Sequence, residues 1–318
     1  MGLLSIFTSS KSFALPIIGS TLLNGLGLHV FRIRLANAFL ALRRVQVGGL
    51  SRPIEYKTFK KDGVLVLENF LPEDQFKTLT AEIKQTMSAA DQTTPIQNYG
   101  DLGFGQKHSF DWGFDRYDGD TLNRFYNIDS KQTSVQGFLD NPKLKQLTSL
   151  CAGTYHDKDK YFLYKLLHGE EAQNQDIQKA IHRDTFHSAI KLWYFIEDVT
   201  PEHGPFSYAK GSNHMDTRRL SWEKRKSIEA SQANKGGAFR ITPEELNQLN
   251  SGELSSFPVK ANTLVLADIR GFHCRGQALA NQQRLSIYAN IRPAPFLPAF
   301  HTGKLKQLRS RITGFLTK

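Results

Sequence analysis

The chain has 318 residues, 40% of them hydrophobic and 11% aromatic, which excludes a disordered protein and suffices for one large domain with additions or for two smaller ones. Its 41 Lys and Arg against 30 Asp and Glu give a net charge of +11 and predict an anionic partner, while the lack of a Lys/Arg block or a nucleic-acid-binding module disfavours nucleic acid. Two cysteines, Cys151 and Cys274, without a CxxC pair exclude a disulfide scaffold and a cysteine zinc site, and indicate a cytoplasmic, reducing compartment.

The N-terminal unit, residues 1–50, combines apolar and basic residues. Residues 12–31 are uncharged, but polar and flexible residues are too frequent there for a membrane span. Apolar residues recur at helical spacing beside four arginines, at Leu28, Phe31, Leu35, Phe39 and Leu42. This pattern predicts a helix that either lies on an anionic membrane surface or packs its apolar stripe on the rest of the protein, and both alternatives stay open. A basic tail at residues 301–318 favours the membrane.

Residues 51–300 are predicted to form the main domain. Residues 59–70 contain a turn followed by a short Val/Leu strand. Pro72 and Glu73 then start a helix, because proline and an acidic residue are both favoured in a first helical turn. Residues 91–120 are rich in Gly, Asp and aromatic residues without a period, and we interpret them as a long loop beside a pocket.

Short β-type runs follow from residue 161 onward and are separated by turn residues. They lie at residues 161–167, 188–196, 206–209, 263–267 and 284–291. Because no βαβ helices intervene, these runs indicate an antiparallel barrel or jelly roll. A polar, charged stretch at about residues 221–256 interrupts them, and we interpret it as an insertion and a candidate lid.

A His-x-Asp tripeptide lies directly before the second β run. Residues two apart in a strand share a face, so His182 and Asp184 can bind one metal ion together. His273 follows the fourth run and a turn, and is the candidate for a second histidine ligand. Non-haem Fe(II) oxygenases use two histidines and one carboxylate on one face of the iron and leave the opposite face open. The tripeptide alone is weak, and the prediction depends on its order and context.

Arg284 and Ser286 open the last β run, 11 residues after His273. A guanidinium binds a carboxylate through two parallel hydrogen bonds, and a hydroxyl group on the same strand face adds a third. This equipment suits the distal carboxylate of 2-oxoglutarate. Lys165, on the run before the metal motif, is a further candidate for the cosubstrate, with a side chain directed to solvent as the alternative.

Four segments together resemble the phytanoyl-CoA dioxygenase family over roughly residues 56–293. They are residues 59–70, which resemble its first strand; residues 181–187 (IHRDTFH), which resemble its first metal motif; residues 202–214 (EHGPFSYAKGSNH), which are similar to its Asn-Gly-Pro and Gly-Ser-His turn; and residues 271–276 (GFHCRG) with Arg284, which resemble its second metal and cosubstrate motif. The resemblance implies a mainly β fold with flanking helices and a double-stranded β-helix (jelly-roll, cupin-like) core. It also implies Fe(II) on His182, Asp184 and His273, 2-oxoglutarate on Arg284, O2 as oxidant, and hydroxylation with release of succinate and CO2.

Two positions depart from the family pattern. Many relatives have Gln between the first His and Asp, and Ser or Thr two residues after the second His; this chain has Arg183 and Arg275 there. An inward-facing arginine would favour an acidic substrate. We expect Arg183 to face outward as a solvated side chain.

The substrate stays open at this level, because a fold and a metal site do not select it. The basic composition and the N-terminal helix favour an anionic, lipid-linked substrate such as an acyl-CoA, a lipid or a lipopolysaccharide sugar, handled by a cytoplasmic protein at the inner face of a membrane. A small soluble metabolite is the alternative. A non-catalytic, membrane-associated binding protein with the same fold is the third reading, and the complete set of ligands argues against it.

Overall fold

Two antiparallel sheets form the core of the protein, whose computed structural model describes residues 3–93, 112–170 and 174–299. The strands are β1 (Val64–Leu67), β2 (Gly113–Asp118), β3 (Thr121–Tyr126), β4 (Tyr161–Leu167), β5 (His182–Arg183), β6 (Ile190–Phe195), β7 (Phe206–Ala209), β8 (Phe239–Arg240), β9 (Leu254–Ser256), β10 (Thr263–Asp268), β11 (His273–Arg275) and β12 (Gln283–Ile291). The larger sheet has the order β1-β10-β6-β12-β4-β3-β2 and the smaller sheet the order β8-β5-β11-β7-β9. Val265 of the larger sheet and Tyr208 of the smaller one share a buried cluster. The prediction of a mainly β, jelly-roll protein with flanking helices is confirmed.

Helices cover the outer faces of both sheets. The helices are α1 (Thr21–Gly25), α2 (Leu28–Gly48), α3 (Ile54–Asp62), α4 (Glu73–Thr93), α5 (Thr133–Asp140), α6 (Pro142–Ala152), α7 (Thr217–Gln232) and α8 (Pro243–Gln248). Leu192 and Ile287 of the larger sheet share one buried cluster with Leu147 of α6. Because side chains alternate along a strand, the other face of this sheet carries a different set, in which Tyr164 and Tyr288 form an aromatic cluster. This second face points towards the interior of the jelly roll.

The beginning of the main domain matches its prediction in part. β1 occupies Val64–Leu67 and α4 begins at Glu73, where the sequence predicts a strand and a helix. The predicted turn before β1 is the end of α3, which stops at Gly63. Gly63 has a φ of 77°, in the left-handed region that glycine adopts at helix ends.

Residues 113–126 form a hairpin of β2 and β3, so the prediction of one long loop over residues 91–120 is wrong. β3 is buried along its whole length. It carries Arg124, whose guanidinium donates to both carboxylate oxygens of Asp115 at 2.8 Å. The hairpin resembles a loop in sequence because its polar side chains meet one another instead of water. Residues 94–111 and the basic tail at 301–318 lie outside the described residues.

The N-terminal unit packs on the main domain, but through a face of α2 that the sequence does not predict. Phe31 and Leu42 belong to the predicted apolar stripe, yet they are 51% and 57% exposed. The buried face carries Arg32, which donates to the carbonyl oxygens of residues 6, 8 and 10, and Arg43, which donates to that of Ala294. Carbonyl acceptors make this burial of guanidinium groups tolerable. In the described ranges, no helix is long and apolar enough to cross a membrane.

The predicted insertion at residues 221–256 is built into the smaller sheet. β8 and β9 form the two edges of that sheet. Trp222 of α7 packs edge-on against Phe239 and Phe272. The segment therefore supports β5 and β11, the two strands that carry the histidines. Its role as a lid stays a prediction.

Candidate active site

His182, Asp184 and His273 come together where β5 and β11 adjoin. His182 stands opposite His273 in the antiparallel register of these strands, and their ring centroids are 4.5 Å apart. The Oδ1 atom of Asp184 lies 3.3 Å from Nε2 of His182 and 3.9 Å from Nε2 of His273. All three residues are buried, and one ligand atom from each lies within 4.8 Å of the others. The three predicted ligands thus form one group that could hold a metal ion.

Hydrogen bonds to the main chain determine which imidazole nitrogens face this group. Nδ1 of His182 lies 2.7 Å from the carbonyl oxygen of Ala180, and Nδ1 of His273 lies 2.9 Å from that of Gly271. A carbonyl oxygen only accepts, so each Nδ1 carries the proton and each Nε2 presents a lone pair. Both Nε2 atoms are buried and have no hydrogen-bond partner in the described part of the chain. Two imidazole lone pairs beside a carboxylate fit the Fe(II) site of a non-haem oxygenase.

Two cations hold the other oxygen of Asp184. Its Oδ2 atom lies 2.9 Å from Nζ of Lys191 and 3.0 Å from Nη2 of Arg292, which leaves Oδ1 directed to the histidines. Burial by itself would raise the pKa of Asp184, but the attraction of the Lys191 ammonium group counters it, and this pKa is held well below its usual value. The carboxylate therefore stays ionised at neutral pH, as a metal ligand must be.

Arg284 lines a cavity together with His182 and His273. No carboxylate forms an ion pair with Arg284 within the described ranges. Burial, followed by the neighbouring Arg275, lowers the pKa of Arg284 to about 10, so its guanidinium is still charged at neutral pH. Ser286 follows Arg284 by two residues on β12. It is buried, and its side chain points to the same face of the sheet as that of Arg284. An unpaired guanidinium next to a metal-binding group is suited to a carboxylate ligand.

Lys165 does not line this cavity. Its neighbour on β4, Tyr164, does, and consecutive residues of a strand point to opposite faces. Lys165 stands opposite Leu285 in the register with β12, and Leu285 is likewise the neighbour of cavity-lining Arg284. The expected contact of Lys165 with the cosubstrate is therefore corrected: the side chain points to the helix-covered face of the sheet.

Arg275 faces the cavity, in the orientation that the sequence associates with an acidic substrate. Its guanidinium donates to Asp176, to Asp118 at 3.1 Å and to Asn123 at 2.9 Å. Arg116 shares Asp118 with it, at 3.0 Å. Two cations and two carboxylates therefore balance one another at this side of the cavity, which leaves Arg284 as a charge without a counter-ion.

Arg183 is fully buried, so the prediction of a solvated side chain is wrong. It does point away from the iron ligands, as strand alternation requires, but α7 covers that side. Its guanidinium donates to the two carboxylate oxygens of Glu223 at 2.9 and 2.6 Å. Glu223 also accepts from Arg219 at 3.0 Å and lies 3.0 Å from Nε2 of His29 on α2. Sequence reasoning missed this cluster, because Arg183 and His29 are far from Glu223 along the chain, although Arg219 and Glu223 are four residues apart on one helix.

The N-terminal unit supplies two further contacts that sequence reasoning missed. Nζ of Lys11 donates to the main-chain carbonyl oxygen of Asp184 at 2.5 Å. Asn37 of α2 accepts from Arg270 at 2.6 Å, and Arg270 forms an ion pair with Asp268 at the end of β10. Residues 1–50 thus contact both segments that carry iron ligands.

One family model matches most of the chain. The model described as "Phytanoyl-CoA dioxygenase (PhyH)" matches residues 59–284, more than two thirds of the sequence. A search of curated proteins found no match. Similar solved structures include the epimerase SnoN in complex with Fe3+, alpha ketoglutarate and nogalamycin RO (16% identity, 75% of this chain and 84% of that chain, TM-score 0.43), EctD from S. alaskensis with bound Fe (14%, 76% and 76%, 0.44), and HygX from Streptomyces hygroscopicus with nickel and 2-oxoglutarate (14%, 79% and 90%, 0.42). Because the family model covers more than half of the chain, including His182, Asp184, His273 and Arg284, this chain belongs to the phytanoyl-CoA dioxygenase family of Fe(II)- and 2-oxoglutarate-dependent oxygenases.

Proposed function

We propose that this oxygenase hydroxylates an unactivated C–H bond of an anionic organic substrate, with 2-oxoglutarate and O2 as cosubstrates and succinate and CO2 as coproducts. One observation supports this most directly: two buried Nε2 lone pairs and an ionised Asp184 lie beside the unpaired guanidinium of Arg284. The first group of atoms can hold iron, and the guanidinium can hold a dicarboxylate next to it.

Each residue of the site has its own task in this proposal. His182, Asp184 and His273 hold the iron, which supplies the oxidation chemistry when it is bound. Arg284 orients 2-oxoglutarate through the distal carboxylate, and the hydroxyl group of Ser286 adds a hydrogen bond to the same group. Aromatic side chains that line the cavity keep water away from the reacting atoms; they are Phe125, Tyr164, Trp193, Phe206 and Tyr288.

One exposed cation at the cavity, Arg116, supports an anionic substrate. Of the other cationic side chains that line the cavity, Arg275 pairs with Asp118 and Asp176, Lys191 pairs with Asp184, and Arg284 is assigned to 2-oxoglutarate in this proposal. The side chain of Arg116, which shares Asp118 with Arg275, is 43% exposed and can reach a ligand at the rim. A carboxylate or phosphate group of the substrate would gain a charge-assisted hydrogen bond there.

We further propose that this substrate is lipid-linked, with an acyl-CoA, a lipid or a lipopolysaccharide sugar as candidate classes, and that the protein is peripheral on the inner face of a membrane. The exposed apolar residues of the N-terminal unit support this proposal, since a small soluble metabolite would not require them. A non-catalytic binding protein is disfavoured because it would not need the complete set of iron ligands.

Succinate formation is the direct test of the reaction. Purified protein supplied with Fe(II) and 2-oxoglutarate should bind iron and form succinate, and His182→Ala or Asp184→Ala should abolish both. His156→Asn is the matched control, because this histidine contacts Thr148 and lies outside the metal group. Succinate formation that survives the two ligand substitutions would overturn the proposal.

The substrate is best found by comparing cells with and without the gene. Lipid and water-soluble extracts are analysed separately for a compound that gains one oxygen. A gain in the lipid extract supports the lipid-linked substrate, and a gain confined to the water-soluble extract supports the alternative.

A further inference from the structure

The large apolar side chains that are exposed lie mostly in one part of the molecule. Of the twelve such residues in the described part of the chain, nine belong to residues 4–54. Monomeric proteins seldom expose clustered apolar residues without a partner. The N-terminal unit is therefore an interaction surface, even though its other side is fixed to the main domain.

A cluster of these residues surrounds the end of α2. Leu42 and Val45 lie one turn apart on the exposed face of this helix, at 57% and 48% exposure. Leu50 and Ile54, at 88% and 70%, follow in the connection to α3 and in its first turn. We call these four residues the apolar rim. Arg43 fixes the opposite face of α2 to the carbonyl oxygen of Ala294, so the rim stays at the surface.

One residue of the apolar rim, Val45, lines a basic cleft of about 440 Å³ between α2, α3 and the segment after β7, and Leu50 and Ile54 each lie two residues along the chain from Arg52, which also lines it. Arg44, Lys60 and Tyr56 line this cleft as well. The guanidinium carbons of Arg44 and Arg52 lie 5.4 and 5.5 Å from the centre of the Tyr56 ring. The same ring therefore holds two guanidinium groups at the cleft.

Arg270, which also lines the cleft, is paired with Asp268, but the other cations of the cleft have no counter-ion of their own among the described residues. Arg44 donates to the carbonyl oxygens of Leu150 and Cys151, and Arg52 to those of Gly49 and Ser51. These contacts orient both guanidinium groups but leave their charge uncompensated. No carboxylate forms an ion pair with Arg44, Arg52 or Lys60 among the residues described here, and the nearby Glu55 pairs with Lys143 at 2.9 Å.

We propose that the basic cleft binds the headgroup of an anionic phospholipid and that the apolar rim enters the surrounding bilayer surface. Arg44, Arg52 and Lys60 bind the phosphate, and the rim residues bury their side chains at the boundary between headgroups and acyl chains. A basic cleft alone would fit any soluble anion. The combination with the four exposed residues of the apolar rim is what a lipid requires.

This site gives the peripheral membrane position proposed above a specific location, and it does not depend on the iron chemistry. Its residues do not line the cavity that contains His182 and His273. The two sites can therefore be disabled separately.

Vesicle binding by the full-length protein tests the proposal. The probes are vesicles of phosphatidylcholine alone and of phosphatidylcholine mixed with phosphatidylglycerol, followed by co-sedimentation at physiological ionic strength. We expect binding to the anionic vesicles only. Arg52→Glu/Lys60→Glu should weaken it by at least roughly 25-fold, because the loss of each cation near an anionic surface weakens binding about fivefold and the two added carboxylates are repelled as well. Leu50→Ser/Ile54→Ser should also weaken it.

Two controls keep the result interpretable. Lys131→Glu/Lys224→Glu makes the same charge change at exposed positions outside the cleft and should bind like the wild type, apart from the smaller effect of net charge. His182→Ala should lose succinate formation but keep vesicle binding, which separates a failure of the oxygenase proposal from a failure of this one. Equal vesicle binding by the cleft variant and the Lys131/Lys224 control, or no binding by folded and active wild-type protein, would overturn the proposal.

Discussion

Two arginines near the iron ligands differ in whether a carboxylate pairs with their guanidinium group. Arg183 lies between two ligands in sequence and is fully buried, and both oxygens of Glu223 accept from its guanidinium. The same guanidinium lies 3.9 Å from the centre of the Phe239 ring. Arg284 lines the iron cavity, where no carboxylate within the described ranges pairs with it.

The difference separates a structural arginine from a ligand-binding one. A buried guanidinium is costly unless acceptors surround it, so a fully paired arginine ties neighbouring segments together. Arg183 joins β5 to α7 in this way and, through Glu223 and His29, to α2. For an unpaired guanidinium, the free-energy cost of burial remains until a ligand supplies the hydrogen-bond acceptors. Arg284 is therefore the arginine that should respond to 2-oxoglutarate.

Removal of Glu223 should have the largest effect on the protein. Glu223→Ala leaves Arg183 and Arg219 buried without a counter-ion, and we expect a loss of about 3–5 kcal/mol in the free energy of unfolding. Urea denaturation measures it. Glu223→Gln keeps the shape and some acceptors and should lose less. Because Arg183 adjoins two iron ligands, Fe(II) affinity should fall as well. An unfolding free energy unchanged in the alanine variant would contradict the paired, structural role.

Replacement of Arg284 should instead act on the cosubstrate. Arg284→Ala removes a charge-assisted pair with 2-oxoglutarate, for which about 1.5–3 kcal/mol corresponds to a KM roughly 10- to 150-fold higher. Arg284→Lys keeps the charge but not the two parallel hydrogen bonds, and its KM should lie between the two. Steady-state succinate formation measures KM, and urea denaturation should show little loss of stability. A KM for 2-oxoglutarate equal to that of the wild type would break the distinction between the two arginines.

The uncompensated charge of Arg284 also acts on His168, which follows β4. Burial, then Arg284 and Arg275, lower the pKa of His168 to about 3. Between this value and the unfolded value of 6.5, the unfolded chain binds a proton that the folded chain does not, so stability falls as pH decreases. From about pH 7 to pH 5 the loss should be roughly 2 kcal/mol. His168→Asn should remove that part of the pH dependence, measured as the free energy of unfolding at each pH. An identical pH dependence in this variant would show that His168 is not held neutral.

The sequence predicts those features that depend on local order. β4 lies at the predicted residues 161–167, and β7 at residues 206–209, because strand periodicity and turn residues are local signals. His182 and Asp184 could be paired from their spacing together with the order in which His273 and Arg284 follow. Ion pairs between distant segments have no such signal. The ion pairs of Glu223 with Arg183 and of Lys191 with Asp184 therefore appear only in the folded chain. The same is true of the Arg124–Asp115 pair, which forms once β2 and β3 lie side by side.

The same limit explains why charge type alone did not identify the cosubstrate contact. Arg284 and Lys165 are both cationic and lie on neighbouring strands, but their strand positions give them opposite faces of the larger sheet. Lys165→Ala should change the KM for 2-oxoglutarate by no more than about twofold, because its strand position places it on the face of the sheet away from the cavity. Parallel assays of Lys165→Ala and Arg284→Ala measure the two KM values side by side. The change in the lysine variant is the smallest effect that we expect. A large rise of KM in the lysine variant would contradict this orientation of the Lys165 side chain and would mean that it contributes to cosubstrate binding.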